Sequence, residues 1–183
     1  MTPKANYLER ELNFIQNEEI KKEVTELVEK LPGYFFKVPA SSTGKYHPNY
    51  ALGFGGLLRH TQVAVRTAEE LMRLEMFKPL QEDKDFIIGA LILHDGLKHG
   101  DVESRYTKAN HPVLMSDFIR ANCKNEQIAN KLAGLVLTHM GQWNTEWNST
   151  EEIMPKPSTK TENFVHLCDY IASRKQFEFN FEV

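Results

Sequence analysis

The chain has 183 residues, a formal net charge of −3 and 41% hydrophobic residues, values typical of one globular domain. This composition excludes a disordered, collagen-like or wholly coiled-coil chain, and the charge gives no sign of an extended nucleic-acid footprint. The two cysteines, Cys123 and Cys168, form no CxxC pair, which favours a reducing compartment. The longest apolar run, 86–93, is short for a membrane span, and the N-terminus lacks a signal-peptide core, so we expect a cytoplasmic protein without membrane attachment.

Helical periodicity dominates the chain and predicts an all-α bundle of about six or seven helices. Residues 1–33 are expected to form a helical pair, over 2–16 and from Asn17 to the Pro32-Gly33 break, packed on a main domain of residues 34–183.

The rest of the predicted elements follow from turn and capping signals. Residues 34–54 and 141–158, which contain Pro and Gly breakers, are predicted to be irregular. Five further helices are expected, over 57–75, 83–97, 111–122, 125–140 and 161–175. The tail FEFNFEV alternates apolar and polar residues, so it could form a short strand or an aromatic anchor.

Several predicted helices carry an ionisable residue on or beside their apolar stripe. His60, His94 and His139 continue such stripes at helical spacing, and Asp95 and Asp169 lie on neighbouring lines. A single histidine of this kind is more often a hydrogen-bonded core residue, but a buried aspartate without a cation is costly. No Lys or Arg shares the stripes near these aspartates. A metal ion would neutralise both carboxylates and use neutral imidazoles as ligands.

The ligand types indicate which metals fit. Imidazole and carboxylate without thiolate suit Mn, Fe, Co, Ni or Zn, with Mg as a further option. His94 and Asp95 are neighbours, about 100° apart on a helix, so both can face one ion, and an aspartate in this position can also bridge two. Two ions about 3.5–4 Å apart can clamp a phosphoryl oxygen. We therefore expect divalent metal ions, with two as the favoured number.

The order His60, His94-Asp95, Asp169 resembles the HD-domain metal-dependent phosphohydrolases, which are defined by a His-Asp doublet between a lone His and a lone Asp. His111 and His139 lie between the doublet and the last Asp, as in the dinuclear members. Over about residues 38–175 the chain is similar to the HD domain of YhaM-type 3′-to-5′ exoribonucleases. The matching motifs are Pro39-Ala40-Ser41, Tyr46-His47, Gly55-Gly56-Leu57-Leu58-x-His60-Thr61, His139-Met140-Gly141, Thr161-Glu162 and His166-x-x-Asp169.

The resemblance implies a helical HD-domain bundle and a ligand set for each of two ions. The first ion would be bound by His60, His94, Asp95 and Asp169. The second would be bound by Asp95, His111 and His139. Because His111 precedes Pro112, it is predicted to lie at a helix N-cap, free to point inward.

The implied activity is cleavage of a phosphoester or phosphodiester bond in a nucleotide, short oligonucleotide or RNA end by a metal-activated hydroxide. Asp95 and Lys98 are the expected catalytic residues. Lys98 lies one turn beyond His94 and could donate to a non-bridging oxygen, or it could be a solvated cation at a helix end.

Loop residues give weaker signals. Lys45, Arg105 and Lys108 could meet phosphate, although loop charges are usually solvated. Trp143 and Trp147 could stack a base or anchor a local lid.

Three further histidines have different predicted places. His47 could approach the site from its loop, and His99 is predicted to be exposed. His166 is predicted to lie in the core or to support a ligand.

Two other functions remain open at this stage. One is a catalytically inactive HD module that binds a nucleotide or a protein partner and uses metal to stabilise its fold. The other is a helical interaction domain whose histidines are structural and which binds no metal. The oligomeric state is open, although the N-terminal helical pair could pack against another subunit.

Overall fold

The computed structural model describes residues 3–177, and the predicted all-α bundle is confirmed within that range. The seven α-helices are α1 (Glu9–Leu12), α2 (Glu18–Lys30), α3 (Gly56–Leu71), α4 (Lys84–Leu93), α5 (His111–Asn122), α6 (Glu126–Leu137) and α7 (Lys160–Ala172). Short 3₁₀ helices lie at Lys4–Leu8, Gly33–Phe36, Asn49–Ala51, Glu75–Asp83 and Lys175–Phe177. Strand-type pairing over residues 3–177 is limited to one bridge between Thr145 and Glu152.

The central helix of the bundle is α4. Every residue from Ile87 to Leu93 is buried, as expected for a helix that is apolar on all sides. Helices α2, α3 and α6 pack around it. Gly89 permits this close approach, because a Cβ there would lie 2.9 Å from Val24 and 3.0 Å from Leu132.

The N-terminal helices share the core of the rest of the chain. Leu12 of α1 and Val24 and Leu27 of α2 belong to the same buried cluster as the apolar residues of α4. Both helices pack against α4 itself. The domain boundary expected between residues 1–33 and 34–183 stays a prediction.

Side-chain caps mark the starts of three helices. The Asn17 side chain accepts hydrogen bonds from the first turn of α2, and Asn125 does the same for α6. Thr159 and Glu162 form a reciprocal capping box at the start of α7.

Several predicted helix bounds are wrong. The first predicted helix is a 3₁₀ turn followed by the single turn of α1, because Pro3 offers no side-chain cap and the chain turns away at Asn13. α3 ends at Leu71 rather than at residue 75, and α7 ends at Ala172 rather than at residue 175. The predicted loop 34–54 contains 3₁₀ turns, and Gly56 is required after it because a Cβ would lie 2.2 Å from the Ala51 carbonyl oxygen.

The ends of α4 and α6 matter most for the site. α4 ends before His94 instead of reaching residue 97, and α6 ends two residues before His139 instead of reaching residue 140. The chain then tightens into turns with three-residue hydrogen bonds, such as Gly96 N to Leu93 O at 2.8 Å. His94, Asp95 and His139 therefore project from turns.

The start of α5 also differs from the prediction. Asn110 is the N-cap, and His111 is the first helical residue, followed by Pro112. Proline is well tolerated in this first turn because its missing N–H would have no helical partner.

The C-terminal segment FEFNFEV, predicted to be a strand or an aromatic anchor, lies outside the described residues from residue 178 onward. Among those described, no helix has the length and apolarity that crossing a bilayer requires.

Candidate metal centre

Six side chains, from three helices and from the turns that follow two others, converge on one buried cluster. His60 lies on α3, His94 and Asp95 follow α4, and His111 begins α5. His139 follows α6, and Asp169 lies on α7. These are the six residues that the sequence predicts as metal ligands, and all of them belong to groups that could hold a metal ion.

The first group surrounds one oxygen of Asp95. His60 Nε2 lies 2.9 Å from Asp169 Oδ1, 3.6 Å from Asp95 Oδ2 and 3.3 Å from His94 Nε2. His94 Nε2 lies 3.4 Å from both of these carboxylate oxygens. Metal–ligand bonds of about 2.1 Å place neighbouring donors about 3.0–3.4 Å apart around an octahedral or tetrahedral ion. The separations in this group therefore match those around a metal ion.

The second group surrounds the other oxygen of the same carboxylate. His111 Nε2 lies 3.0 Å from Asp95 Oδ1 and 3.2 Å from His139 Nε2, and His139 Nε2 lies 3.8 Å from Asp95 Oδ1. The two oxygens of Asp95 thus face two different sets of imidazoles. The groups also overlap, since His94, His139 and Asp169 lie close enough to share an ion.

Backbone hydrogen bonds fix the tautomers of three histidines. Nδ1 of His94, His111 and His139 each donates to the carbonyl oxygen three residues earlier, at 2.7 Å in every case. In the neutral ring this leaves the lone pair on Nε2, the nitrogen that faces the cluster. The Nε2 atoms of His111 and His139 face each other at 3.2 Å, an arrangement that a cation between them would stabilise.

Asp95 provides an independent sign that a cation fits here. The residue is 1% exposed, and Oδ1 receives no well-formed hydrogen bond within residues 3–177. The nearest nitrogen is His111 Nε2 at 3.0 Å, and Nδ1 of the same ring donates to the Lys108 carbonyl oxygen. A buried carboxylate oxygen in this state is costly, and a metal ion is the ligand that satisfies it.

The pKa shifts show how strongly the cluster attracts positive charge. Burial opposes ionisation of both aspartates. Lys98 and the neighbouring histidines nevertheless hold the pKa of Asp95 well below its usual range, and His60 and His94 do the same for the pKa of Asp169. Burial also opposes charge on His94, yet these carboxylates raise its pKa to about 10. Burial and the neighbouring His94 and His111 lower the pKa of His139 to about 3, so that ring is neutral, as a ligand must be.

The expectation that no lysine lies near Asp95 is wrong. Lys98, three residues further along the chain, lies at the edge of the cluster. Its ammonium donates to Asp95 Oδ2 at 2.5 Å, and its side chain is 12% exposed. The side chain also lines the cavity that opens over the cluster. Lys98 can therefore contact both the predicted ligand Asp95 and a molecule bound in the cavity.

The cavity has a volume of about 660 Å³ and reaches the cluster at Asp169, whose side chain is 16% exposed. Aromatic and cationic side chains form much of its wall, namely Tyr46, His47, Lys98, Tyr106, Trp143, Trp147, Tyr170 and Arg174. A second cavity of about 450 Å³ shares Tyr106 and Trp147 with it. A hydrophobic wall with a few convergent polar groups is typical of a small-molecule site.

Helix α7 and a supporting histidine hold the turn that carries His139. His166 Nδ1 lies 2.7 Å from the His139 carbonyl oxygen, so this histidine supports a predicted ligand. Gly141 is required beneath the ring, since a Cβ there would lie 2.3 Å from it and the backbone φ is +60°. The sequence prediction for His166 agrees with this position.

Four of the five loop residues singled out in the sequence line one or both of the two cavities. Trp143 and Trp147 line the larger cavity, and Arg105 and Lys108 line the smaller one. Lys45 lines neither of these two cavities and instead lies 5.0 Å from the Tyr46 ring centroid.

Two further histidines flank the centre. His47 lines the larger cavity, and its ring lies 5.6 Å from that of His60. Burial, with the nearby cation Lys98, lowers its pKa to about 3. The prediction that His99 is exposed is wrong: the residue is 4% exposed and stacks on Tyr34, whose hydroxyl accepts from the His99 backbone N–H at 3.2 Å.

Sequence reasoning missed Tyr170 and Arg174. Tyr170 follows the predicted ligand Asp169, and its ring stacks on Trp143 at 5.7 Å with an interplanar angle of 7°. Arg174 packs over both rings. An arginine after the last turn of a helix has an ordinary interpretation as a cation at a helix end, so no sequence signal distinguished it.

Comparison of the chain with protein-family models, curated proteins and solved structures returns no match. The geometry therefore carries the functional argument. The buried histidines and aspartates form groups that could hold a metal ion, beside a cavity large enough for a small molecule.

Proposed function

We propose that the chain is an HD-type metal-dependent phosphohydrolase that cleaves a phosphoester or phosphodiester bond in a nucleotide, short oligonucleotide or RNA end. The observation that carries the proposal is the cluster in which both oxygens of Asp95 face imidazole Nε2 atoms. The resemblance to the YhaM-type HD domain supports the same activity, because its motif residues are those that meet here.

Two divalent ions fit the proposal better than one. His60, His94, Asp95 Oδ2 and Asp169 would hold the first ion, and Asp95 Oδ1, His111 and His139 would hold the second. Mn, Fe, Co, Ni, Zn or Mg would be accepted by these nitrogen and oxygen donors. When bound, such ions supply Lewis-acid stabilisation of phosphoryl oxygens and lower the pKa of coordinated water.

The chain's own residues would orient the substrate. The Lys98 ammonium, which contacts Asp95 and also lines the cavity, would donate to a non-bridging phosphoryl oxygen and stabilise its developing charge. Trp143 and Tyr170, stacked with each other on the cavity wall, would pack against a base or another planar group. The histidine rings of the cluster are buried and would help to exclude bulk water from the reacting group.

One observation favours a second function, a catalytically inactive module that binds a nucleotide or a protein partner. Lys98 lies 2.5 Å from Asp95 Oδ2, so a lysine supplies a positive charge at the oxygen that the first ion would use. In an inactive module this contact would persist and replace part of the metal.

The test compares metal content and turnover in matched aspartate variants. Purified protein loaded with Mn²⁺ should bind metal and hydrolyse bis(p-nitrophenyl) phosphate. Asp95→Ala should lose both, whereas Asp117→Ala, which removes a 71%-exposed carboxylate on α5, should lose neither. Metal content would be measured by mass spectrometry of the dialysed protein, and folding by circular dichroism.

The outcomes separate the candidates. Equal turnover by Asp95→Ala and the parent protein would contradict the proposed site. Metal binding without turnover across nucleotides and short RNAs would favour the inactive module. A protein that binds no metal would be the helical interaction domain.

A further inference from the structure

The wall of the larger cavity holds an arginine with an unusual environment. Arg174 Cζ lies 4.4 Å from the Tyr170 ring centroid, 4.8 Å from that of Trp143 and 5.6 Å from that of Tyr46. Three rings thus surround one guanidinium. Trp143 and Tyr170 also stack on each other, so the surrounding group is held together without the arginine.

This guanidinium has no counter-ion in the described chain. Within residues 3–177, no carboxylate lies within 4.0 Å of it, whereas the other charged groups of the cavity wall, Lys98 and Asp169, each have partners in the metal cluster. Arg174 Nε is buried and finds no hydrogen-bond acceptor there. A buried donor of this kind costs free energy unless a ligand satisfies it.

The aromatic rings leave the arginine suited to one kind of ligand. Rings stack on the faces of a guanidinium, but its N–H donors lie in the plane, at the edge. Those edge donors match the paired oxygens of a phosphate or a carboxylate, which an arginine binds in bidentate fashion. The rings also reduce the rotamer freedom that an exposed arginine loses when it binds.

The position relative to the metal cluster sets the size of the ligand. Arg174 lines the same cavity as Asp169 and lies two residues beyond Ala172, the last residue of α7. The cavity that both residues line has a volume of about 660 Å³, large enough for a nucleotide-sized molecule. A molecule with one phosphate at the cluster could therefore present a second anionic group to Arg174 across a sugar-sized spacer.

We propose that Arg174 determines specificity by binding a second anionic group of the substrate, a phosphate or a carboxylate, away from the bond that is cleaved. The inference rests on the proposed function, because the first anionic group is the phosphoryl group at the cluster. It narrows the substrate class to molecules with two separated anionic groups.

The test uses three probes that share one scissile bond. They are thymidine 5′-(p-nitrophenyl phosphate), the same compound with a 3′-phosphate, and the same compound with a 3′-O-carboxymethyl group. The Mn²⁺-loaded full chain is expected to show a KM about 10- to 100-fold lower for a probe with a second anion, as charged hydrogen bonds allow. The probe with the lower KM, which carries either the phosphate or the carboxylate, identifies the anionic group that Arg174 binds.

Arginine variants then locate the preference. Arg174→Met should bring the KM values of the three probes close together. Arg174→Lys keeps the positive charge but not the planar pair of N–H donors, so it should keep only part of the preference for a second anionic group. Arg73→Met is the matched control, because it removes an arginine that is 68% exposed and lies at the end of α3. If Arg174→Met does not fold, Arg174→Lys decides the question.

Binding measurements distinguish this inference from the proposed function. Both tryptophans of the chain line the cavity, so their fluorescence reports the Kd of each probe without turnover. No turnover, with a binding preference that depends on Arg174, would overturn the hydrolase and leave this inference standing. Turnover with equal KM for all probes, or a preference that survives in Arg174→Met and Arg174→Lys, would overturn the inference alone.

Discussion

Glu11 and Asp95 are equally buried carboxylates, each 1% exposed, but the chain compensates them differently. Glu11 accepts a hydrogen bond from Arg66 Nε at 2.7 Å, so a protein cation with a solvent-exposed face neutralises it. Asp95 is surrounded by imidazoles whose Nε2 atoms face inward, and Lys98 contacts one of its two oxygens. The Glu11–Arg66 pair is complete within the protein, whereas the cluster around Asp95 has Nε2 atoms that could bind an external cation.

The difference teaches how to recognise a ligand site among buried charges. A carboxylate with one well-placed arginine is a structural pair. A carboxylate whose neighbours donate their protons to the backbone and keep their lone pairs for the centre is prepared for an external cation. Four predictions test this distinction, from the largest expected effect to the smallest.

The largest effect should come from removing an inward-facing imidazole. His139→Ala should lower metal affinity at the second ion position at least about 100-fold, because even partners that only orient a ligand are worth 10–100-fold. Titration calorimetry with Mn²⁺ should then show one ion per chain rather than two. His166→Ala removes contacts with the His139 carbonyl and with Gln142 but no predicted ligand, so it should keep two ions. Unchanged stoichiometry in His139→Ala would argue against the second ion.

Chelation should destabilise the cluster region. With metal at about 100 times its Kd, binding stabilises the fold by about 2.7 kcal/mol, since the unfolded chain does not assemble the site. Treatment with EDTA should lower the Tm by about 5–10 °C for a chain of this size. Differential scanning calorimetry would measure the change, with Asp95→Ala as the control that EDTA should not affect. An equal shift in that variant would place the metal elsewhere.

The structural pair should respond in the opposite way. Arg66→Met leaves Glu11 buried without its cation and should reduce the free energy of unfolding by about 2 kcal/mol, the value of a charged hydrogen bond. Urea denaturation would measure this loss. Metal content and the EDTA shift should stay at their parent values, and a loss of bound metal in Arg66→Met would show that the two regions are not independent.

The smallest effect is expected at the N-terminus of α7. Thr159→Ala removes one half of the capping box and should cost about 1 kcal/mol of stability. A thermal melt should show a Tm lower by about 2–4 °C. Asp169 also lies on α7, so the same variant tests whether a less stable helix N-terminus changes metal binding at the cluster. We expect unchanged metal affinity. A clear fall in metal affinity would show that the whole helix loses its order together.

Much of the helical framework was predictable because its signals are local. Asn17, Asn125 and Thr159 mark helix starts through bonds to residues two or three positions away, and that information lies in a short stretch of sequence. The bounds that failed depend on other contacts. α4 stops before His94, where the histidine ring itself bonds the Leu91 carbonyl oxygen.

The candidate ligands were also visible in the sequence, but their arrangement was not. Ionisable residues on apolar stripes stand out because burial without a partner is costly. Which oxygen of Asp95 faces which imidazole depends on how α3, α6 and α7 pack around α4 and on how α5 packs against α6. The environment of Arg174 was not predictable for the same reason, since Tyr46 and Trp143 are far from it along the chain and contact it only in the folded protein.

The sequence by itself determined the helical class, the caps and the six residues suited to bind metal, because periodicity and residue chemistry are local properties. Only the tertiary structure decided that these residues meet, that the rings of His94, His111 and His139 turn their Nε2 atoms inward, and that a cavity opens beside them. The wall of this cavity holds Arg174, which has no ion pair within residues 3–177. Those features are set by packing between helices distant in the chain, where small differences in helix ends move a side chain into or out of reach.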